Sequence, residues 1–342
     1  MTGAAAPEPV LRRPPAVARV LQQVTETARR YAMFEPGLTA LVAVSGGPDS
    51  VCLLHSVARL QTLFRIRPVC FHFDHRLRDG SEADASYVRS QATRLGMPFV
   101  LRRASSAPGR GESVEAWART VRYGALTSVL EEIGGGVAAL GHTADDQAET
   151  VLLALVRGGG LEAISGMSPV SHPIVRPLLE TTREETVAFC RSLGLRPRHD
   201  PMNEDVSFMR VAVRKRLIPM VENALGRNVR PTLARTASLL RQDAELLEAL
   251  AGEAYRAIVR RDDEDKEVRL SAEALRRAHP VLAARVVRRS LLDLGVAPES
   301  SHIDAVIGLG SARTGQRVTL PRGLLAVRTK EYVRVVRPSP GS

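Results

Sequence analysis

Four short apolar runs, at 40–44, 69–73, 99–101 and 137–140, constrain what this chain can fold into more than any other feature of it. Between and after them lie stretches with helical spacing of apolar residues, at 50–60, 81–95, 112–132 and 143–156. Runs this short, without a polar face, read as strands covered on both sides. Strands alternating with helices imply an α/β fold, a parallel sheet with helices on both faces. Ligands bind such sheets beyond the C-terminal ends of the strands, so the chemistry is to be sought in the loops that follow the runs.

Before the first strand, Val17, Val20, Leu21 and Val24 predict an amphipathic helix over 16–31, and residues 1–15, rich in Ala and Pro, read as a disordered tail. Near residue 200 the alternation stops. A long helical stretch over 230–261 carries Leu233, Leu240, Leu247 and Leu250 on one face, and the acidic residues 262–265 make a loop. Helical signals continue over 271–294 and 302–309, and 317–337 alternates like strands around the turn Pro321-Arg322-Gly323. The 342 residues therefore divide into an α/β domain at 16–228 and a smaller, mostly helical domain at 229–342 that ends in a β-hairpin.

The first run leads into Val44-Ser45-Gly46-Gly47-Pro48-Asp49-Ser50-Val51. A strand that ends in a Gly-Gly loop and a helix that starts near Ser50 lets the backbone approach an anion closely, and N–H groups at a helix start favour phosphate. Ser45 and Ser50 add hydroxyls. Asp49 in an anion cradle needs a cation between it and the phosphates, for which Mg²⁺ is the natural choice. The plainer reading is a tight turn with Ser50 as the helix cap. A lysine-bearing P-loop is excluded, because the only lysines are Lys215, Lys266 and Lys330.

After the second run comes Phe73-Asp74-His75-Arg76-Leu77-Arg78, and after the fourth Gly141-His142-Thr143-Ala144-Asp145-Asp146-Gln147-Ala148-Glu149-Thr150. Thr143 and Asp146 have the spacing of a capping box, so Asp146 is either a cap or a ligand-binding carboxylate. Asp145 and Glu149 share one helix face, where like charges repel unless a cation lies with them. His75 and His142, at strand ends, are either satisfied buried histidines or ligand contacts. Arg119, Arg122 and Tyr123 sit on a helix face open to solvent or to a ligand, and Trp117 reads as core. Arg210, Arg214, Lys215 and Arg216 form a basic helical group that suits nucleic-acid phosphates or a plain solvated face.

The net charge of +11, carried almost wholly by Arg, suits a polyanionic partner, although GC-rich coding would give the same skew. Cys52, Cys70 and Cys190 are odd in number and widely spaced, which argues against a disulfide framework, a zinc finger or a cysteine-held cluster. No apolar run approaches the roughly 18 residues that span a bilayer. No leader pattern is evident, so a cytoplasmic protein with no membrane partner is expected.

Taken together, these segments resemble the tRNA(Ile)-lysidine synthase family within the PP-loop pyrophosphatase superfamily. Ser45-Gly46-Gly47-Pro48-Asp49-Ser50 is similar to the superfamily's S-G-G-x-D-S. Residues 73–78 are similar to the family's V-D-H-x-L-R, with Phe73 in place of Val, and 141–150 to its G-H-x-x-D-D-Q-x-E-T. Arg157-Gly158-Gly159-Gly160, Arg176-Pro177-Leu178-Leu179 and Asp200-Pro201-Met202-Asn203 fall where the family has such residues, and Val211 stands where it often has Asn. The likeness is strong over 36–225 and weaker beyond, and the length suits the family's shorter two-domain form.

The resemblance implies a ligase that uses ATP to adenylate the ring carbonyl of the wobble cytidine in an isoleucine tRNA with a CAU anticodon. Free L-lysine then displaces AMP to give lysidine. It implies nucleotide contacts by Ser45, Gly46, Gly47, Pro48, Asp49, Ser50, Asp74, His75, Gly141 and His142, and Mg²⁺ on Asp49 and Asp145. Catalytic roles would fall to Asp49, Asp145, Glu149, Arg119 and Arg210, and tRNA contacts to Arg122, Arg210, Arg214, Lys215 and Arg216. A homodimer is compatible with it. The rivals are another PP-loop tRNA base modifier, of which thiolation enzymes use paired cysteines that this chain lacks, and an inactive RNA-binding module.

Overall fold

Leu41 and Val42 point to opposite faces of one strand and neither keeps any contact with solvent, so helices must cover both sides of it. The computed structural model describes residues 14–77, 80–198, 209–261 and 267–337. That strand, β1 (Thr39–Ala43), lies inside a six-stranded sheet with β2 (Arg67–Asp74), β3 (Phe99–Arg103), β4 (Val137–Ala139), β5 (Val170–Ser171) and β6 (Ile174–Val175). The order is β3-β2-β1-β4-β6-β5, parallel throughout except for the β5–β6 pair.

Ala40 and Val42 join a core with α1 (Pro15–Arg30), α2 (Pro48–Phe64) and α7 (Arg183–Ser192). On the other face Leu41, Phe71 and Ala138 pack with Leu126, Val129 and Leu130 of α4 (Val114–Glu132). The remaining helices here are α3 (Ser81–Arg94), α5 (Ala144–Val156), α6 (Leu161–Ile164), α8 (Met209–Ala212) and α9 (Ile218–Leu225), the last two joined by a π-helical turn, Val213–Leu217. From β1 the chain steps outward to β2 and β3, then crosses to β4 on the far side of β1. The loops after β1 and β4 therefore diverge, and the crevice between them is where this kind of sheet binds ligands.

The chain divides into two units between Arg241 and Gln242, inside α10 (Arg230–Ile258), rather than at the 228–229 junction drawn from the sequence. The buried line of α10 runs through Ala237, Ala244 and Ala251, while Leu250, expected on the apolar face, is exposed. Arg241 and Ile258 are buried on α10 as well, and Leu233, Leu240 and Leu247 are half-buried beside that line.

The second unit holds more strand than a terminal hairpin. Its antiparallel sheet has the order β7-β8-β11-β10-β9, from β7 (Val259–Arg261), β8 (Glu267–Ser271), β9 (Arg317–Thr319), β10 (Leu325–Arg328) and β11 (Tyr332–Val336). Helices α11 (Ala272–Arg277), α12 (Pro280–Asp293) and α13 (Ser300–Leu309) contribute to one core with it, through Leu275, Val286, Leu291, Val306, Leu270, Val333 and Val335. Strand β8 alternates, with Val268 and Leu270 buried, a period-two signal hidden beside the acidic run. That run at 262–265, the tail over 1–13, Arg78, and the Asp200–Asn203 motif at 200–203 lie outside the described residues. Among the described residues no helix is long and apolar enough to cross a membrane.

Candidate active site

The Gly-rich loop is braced from within. Ser45 N–H and Gly46 N–H donate to Ser50 Oγ at 3.1 and 3.2 Å, and that hydroxyl donates to the Gly47 carbonyl at 3.0 Å. Ser50 is therefore not the helix cap. The cap is Gly47, with Pro48 in the first helical position, where its missing N–H costs nothing. Gly46 sits at φ +99°, a conformation that favours glycine. Gly141 is fixed by packing: a Cβ there would stand 3.2 Å from the backbone of Asp49 and Ser50, so the loop after β4 lies directly against the first turn of α2.

Asp49 faces α7 across that turn. Arg183 donates to its Oδ2 from Nε at 3.1 Å and Nη2 at 2.9 Å, and Thr186 Oγ1 donates to its Oδ1 at 2.5 Å. Burial raises the Asp49 pKa, against the pull of Arg183 and Thr186. The backbone N–H of Arg183 donates to Asp145 Oδ2 at 2.8 Å, and Arg230 Nε lies 3.3 Å from Asp145 Oδ1. Asp146 is a cap and also an ion-pair partner. Its Oδ2 accepts from Thr143 N–H at 2.8 Å and from Thr143 Oγ1 at 3.0 Å, while its Oδ1 lies 3.7 Å from Arg183 Nη2 and 3.5 Å from Arg214 Nη2. Burial would raise its pKa, but the guanidinium groups and the Thr143 N–H hold it below the ordinary value. Glu149, 1% exposed, is forked by Arg214, Nε to Oε1 at 2.5 Å and Nη2 to Oε2 at 3.1 Å. Burial raises its pKa too.

These contacts supply partners that the sequence did not show. The cations that relieve the Asp145–Glu149 repulsion are the chain's own Arg230 and Arg214. Asp49 and Asp145, expected to hold Mg²⁺, each carry an arginine partner, and among the described residues no three His, Cys, Asp or Glu side chains converge as a metal site. Arg214, expected on tRNA, turns inward, whereas Lys215 and Arg216 stay exposed.

A second, basic group adjoins the first. Arg119 and Arg122 lie over the Tyr123 ring at 4.9 and 5.8 Å, and Arg210 Nη2 donates to Thr150 Oγ1 at 2.9 Å. Arg176 Nη1 donates to the Ser168 carbonyl at 2.6 Å. Burial lowers the Arg122 pKa, and Arg119 and Arg210 lower it further. Burial pushes the His142 ring down to about 3, opposed by Asp146 and aided by Arg176, Arg122 and Arg210, so His142 is neutral at ordinary pH. His142 Nδ1, Arg122 Nε and Arg176 Nε are buried with no hydrogen-bond partner among the described residues. Such groups are costly to leave unsatisfied and mark a place suited to an acceptor-rich ligand.

Asp74 and His75 are held differently. Asp74 Oδ1 accepts from Arg76 N–H at 2.9 Å, with Arg76 at φ +54°, and Arg103 Nε is 3.7 Å from Oδ2. The His75 ring meets Phe73 edge-on at 4.7 Å and lies 6.1 Å from buried Trp117. The motif reading missed Arg183, Thr186 and Arg230. A signal existed for the first two: Thr182 and Glu185 form a capping box that fixes Arg183 and Thr186 at the start of α7.

Residues 16–221 match the PP-loop domain model and residues 270–333 the TilS substrate binding domain model. A tRNA(Ile)-lysidine synthase from Leifsonia xyli is 36% identical over 86% of this chain and 88% of its own length. The chain belongs to the tRNA(Ile)-lysidine synthase family. Another member of the family, from Nocardia farcinica, is 40% identical over 82% of this chain and 85% of its own. One from Symbiobacterium thermophilum is 36% identical over 89% of this chain, which spans 66% of that relative's length. The U34-tRNA thiolase NcsA of Methanococcus maripaludis shares the fold, with a TM-score of 0.56 at 14% identity over 66% of this chain and 79% of that one.

Proposed function

We propose that this chain is a tRNA-modifying ligase that converts the wobble cytidine of an isoleucine tRNA with a CAU anticodon to lysidine, using ATP and free L-lysine. The observation that carries the reading is the ionic network Asp49–Arg183–Asp146–Arg214–Glu149, set directly behind the Gly-rich loop at the sheet's switch point. In the first step the ring carbonyl oxygen attacks the α-phosphorus of ATP, and the bond to pyrophosphate breaks. In the second the lysine amine attacks the ring carbon, AMP leaves with the carbonyl oxygen, and the amine loses a proton.

The first-turn N–H groups of α2 and the loop backbone suit the departing pyrophosphate. Arg119, Arg122 and Arg210 suit the charge that builds on the phosphoryl oxygens, and neutral His142 can hydrogen-bond without adding charge. Any Mg²⁺ arrives with the triphosphate. Lysine, a cation at neutral pH, is drawn to the carboxylates of α5, where it competes with arginine for them, and Glu149, its pKa raised by burial, is suited to accept the proton released. Lys215 and Arg216, together with the arginines of the second unit, suit the tRNA backbone.

The test is incubation with ATP, labelled lysine and a CAU-anticodon transcript, then nucleoside analysis with each component omitted in turn. Labelled lysidine only in the complete mixture is the expected result. AMP and pyrophosphate release without lysine incorporation would point instead to another PP-loop base modification.

A further inference from the structure

One contact to the Gly-rich loop comes from a part of the chain outside every motif. The Arg198 N–H donates to the Gly46 carbonyl at 2.9 Å. Its Cγ and Cβ pass 3.6 and 3.7 Å from where a Gly46 Cβ would stand. Its Nε lies 3.2 Å from Oδ1 of Asp84, in the first turn of α3. Asp84 is buried, and the Arg198 side chain is 49% exposed.

The peptide between Gly46 and Gly47 is the one whose direction matters most for an anion. A trans peptide holds its C=O and N–H on opposite sides, so a Gly46 carbonyl fixed on Arg198 turns the Gly47 N–H to the other face of the loop. At φ +99° a glycine has no side chain to select that orientation, so the partner must. The neighbouring Ser45 and Gly46 N–H groups are already held by Ser50, which leaves this peptide as the part of the loop that Ser50 does not set.

We infer that Asp84 and Arg198 form a clasp that orients the Gly46–Gly47 peptide toward the triphosphate of ATP, which makes Arg198 a positioning residue for nucleotide binding. The role belongs to the ATP site of the proposed reaction and needs nothing from its tRNA or lysine. Asp84 pins the guanidinium, the stem of Arg198 covers Gly46, and the backbone N–H takes the carbonyl. Loss of either ionic partner frees the strand of chain that carries that N–H.

The experiment is calorimetric titration of the full chain with ATP, alone and with steady-state kinetics, for the wild type, Arg198→Ala, Arg198→Lys, Asp84→Asn and the Arg198→Ala/Asp84→Asn double variant. Because the pair is half exposed, Arg198→Ala and Asp84→Asn should each weaken ATP binding by roughly two- to fivefold. The double variant should bind no worse than the weaker single one, since both remove the same contact. Arg198→Lys should recover most of the affinity. The turnover at saturating ATP and the KM values for tRNA and lysine should stay unchanged, whereas a merely structural role would move them with the melting temperature. Wild-type ATP affinity in folded single variants, or losses that add in the double, would overturn the clasp. A wild type that binds ATP, shows these shifts and makes no lysidine would leave the clasp supported and remove the tRNA reading.

Discussion

Arg183 tethers three carboxylates at once: Asp49 and Asp146 through its guanidinium, and Asp145 through its backbone N–H. Its removal strips charge partners from buried acids and one positive charge from the phosphate crevice. Arg183→Ala should therefore lower pyrophosphate release by about 100-fold, in the range seen when a preorganised transition-state donor is lost. A quenched-flow assay giving near wild-type release would end that assignment. At Glu149 the same logic has a stability arm. Arg214→Ala leaves a carboxylate 1% exposed without its partner and should cost about 3 kcal/mol in urea unfolding, most of which Arg214→Ala/Glu149→Leu should recover. His142 supplies a pH dependence. Its folded pKa of about 3 lies below the ordinary 6.5, so the folded protein binds fewer protons than the unfolded chain between those values. This contribution is complete above pH 6.5 and is lost as pH falls toward 3. Asp49 and Glu149, both raised, run the other way, with a contribution present at low pH that fades as pH rises through their folded values. His142→Gln should flatten the loss of melting temperature between pH 6.5 and 3, and an unchanged profile would mean that the ring is not buried neutral.

At the scale of elements, the sequence made legible whatever is covered on both faces. The runs behind β1 to β4 stayed apolar because their residues are buried or half-buried on both faces of the sheet, and the helices between them kept their periodicity. Strands β5 and β6 have two residues each and show no period at all. The pairing of Arg183 with Asp49 spans 134 residues, and no local pattern can announce it. In the basic group after Arg210, Arg214 departs from the exposed face for a geometric reason. Consecutive side chains on a helix point about 100° apart, and the π-helical turn Val213–Leu217 shifts the register of the faces that follow it, so Arg214 goes in while Lys215 and Arg216 remain out. The capping box Thr182–Glu185 was visible in principle, and it now carries weight because Arg183 and Thr186 depend on where α7 begins. Thr182→Ala should cost about 1 kcal/mol of stability and raise the ATP requirement, while Thr182→Ser should do neither. A Thr182→Ala variant with an unaltered ATP KM would show that α7 is fixed by its packing alone.

For the whole molecule, the question left open by composition is whether the arginine excess is a binding surface or a consequence of coding. Arg183, Arg214 and Arg230 are outnumbered by the acids they face, Asp49, Asp145, Asp146, Glu149 and Glu222, so the net +11 is carried by basic groups outside this network. Were they a by-product of coding, they would bind tRNA no better than any diffuse positive surface. Were they arranged along a phosphate track, each contact would release condensed counterions. About three phosphate contacts would then already weaken binding by roughly 40-fold between about 50 and 200 mM salt. ATP binding, held by loop N–H groups and a few arginines, should change much less over the same range. Filter binding of the CAU transcript beside calorimetry with ATP, both across a salt series, measures the two slopes in one preparation. A steep tRNA slope with a shallow ATP slope is the expected pair, and Lys215→Ala/Arg216→Ala should reduce the tRNA slope by up to about 2 without touching the other. A tRNA slope near zero would assign the excess to coding and send the search for the tRNA contact to uncharged groups.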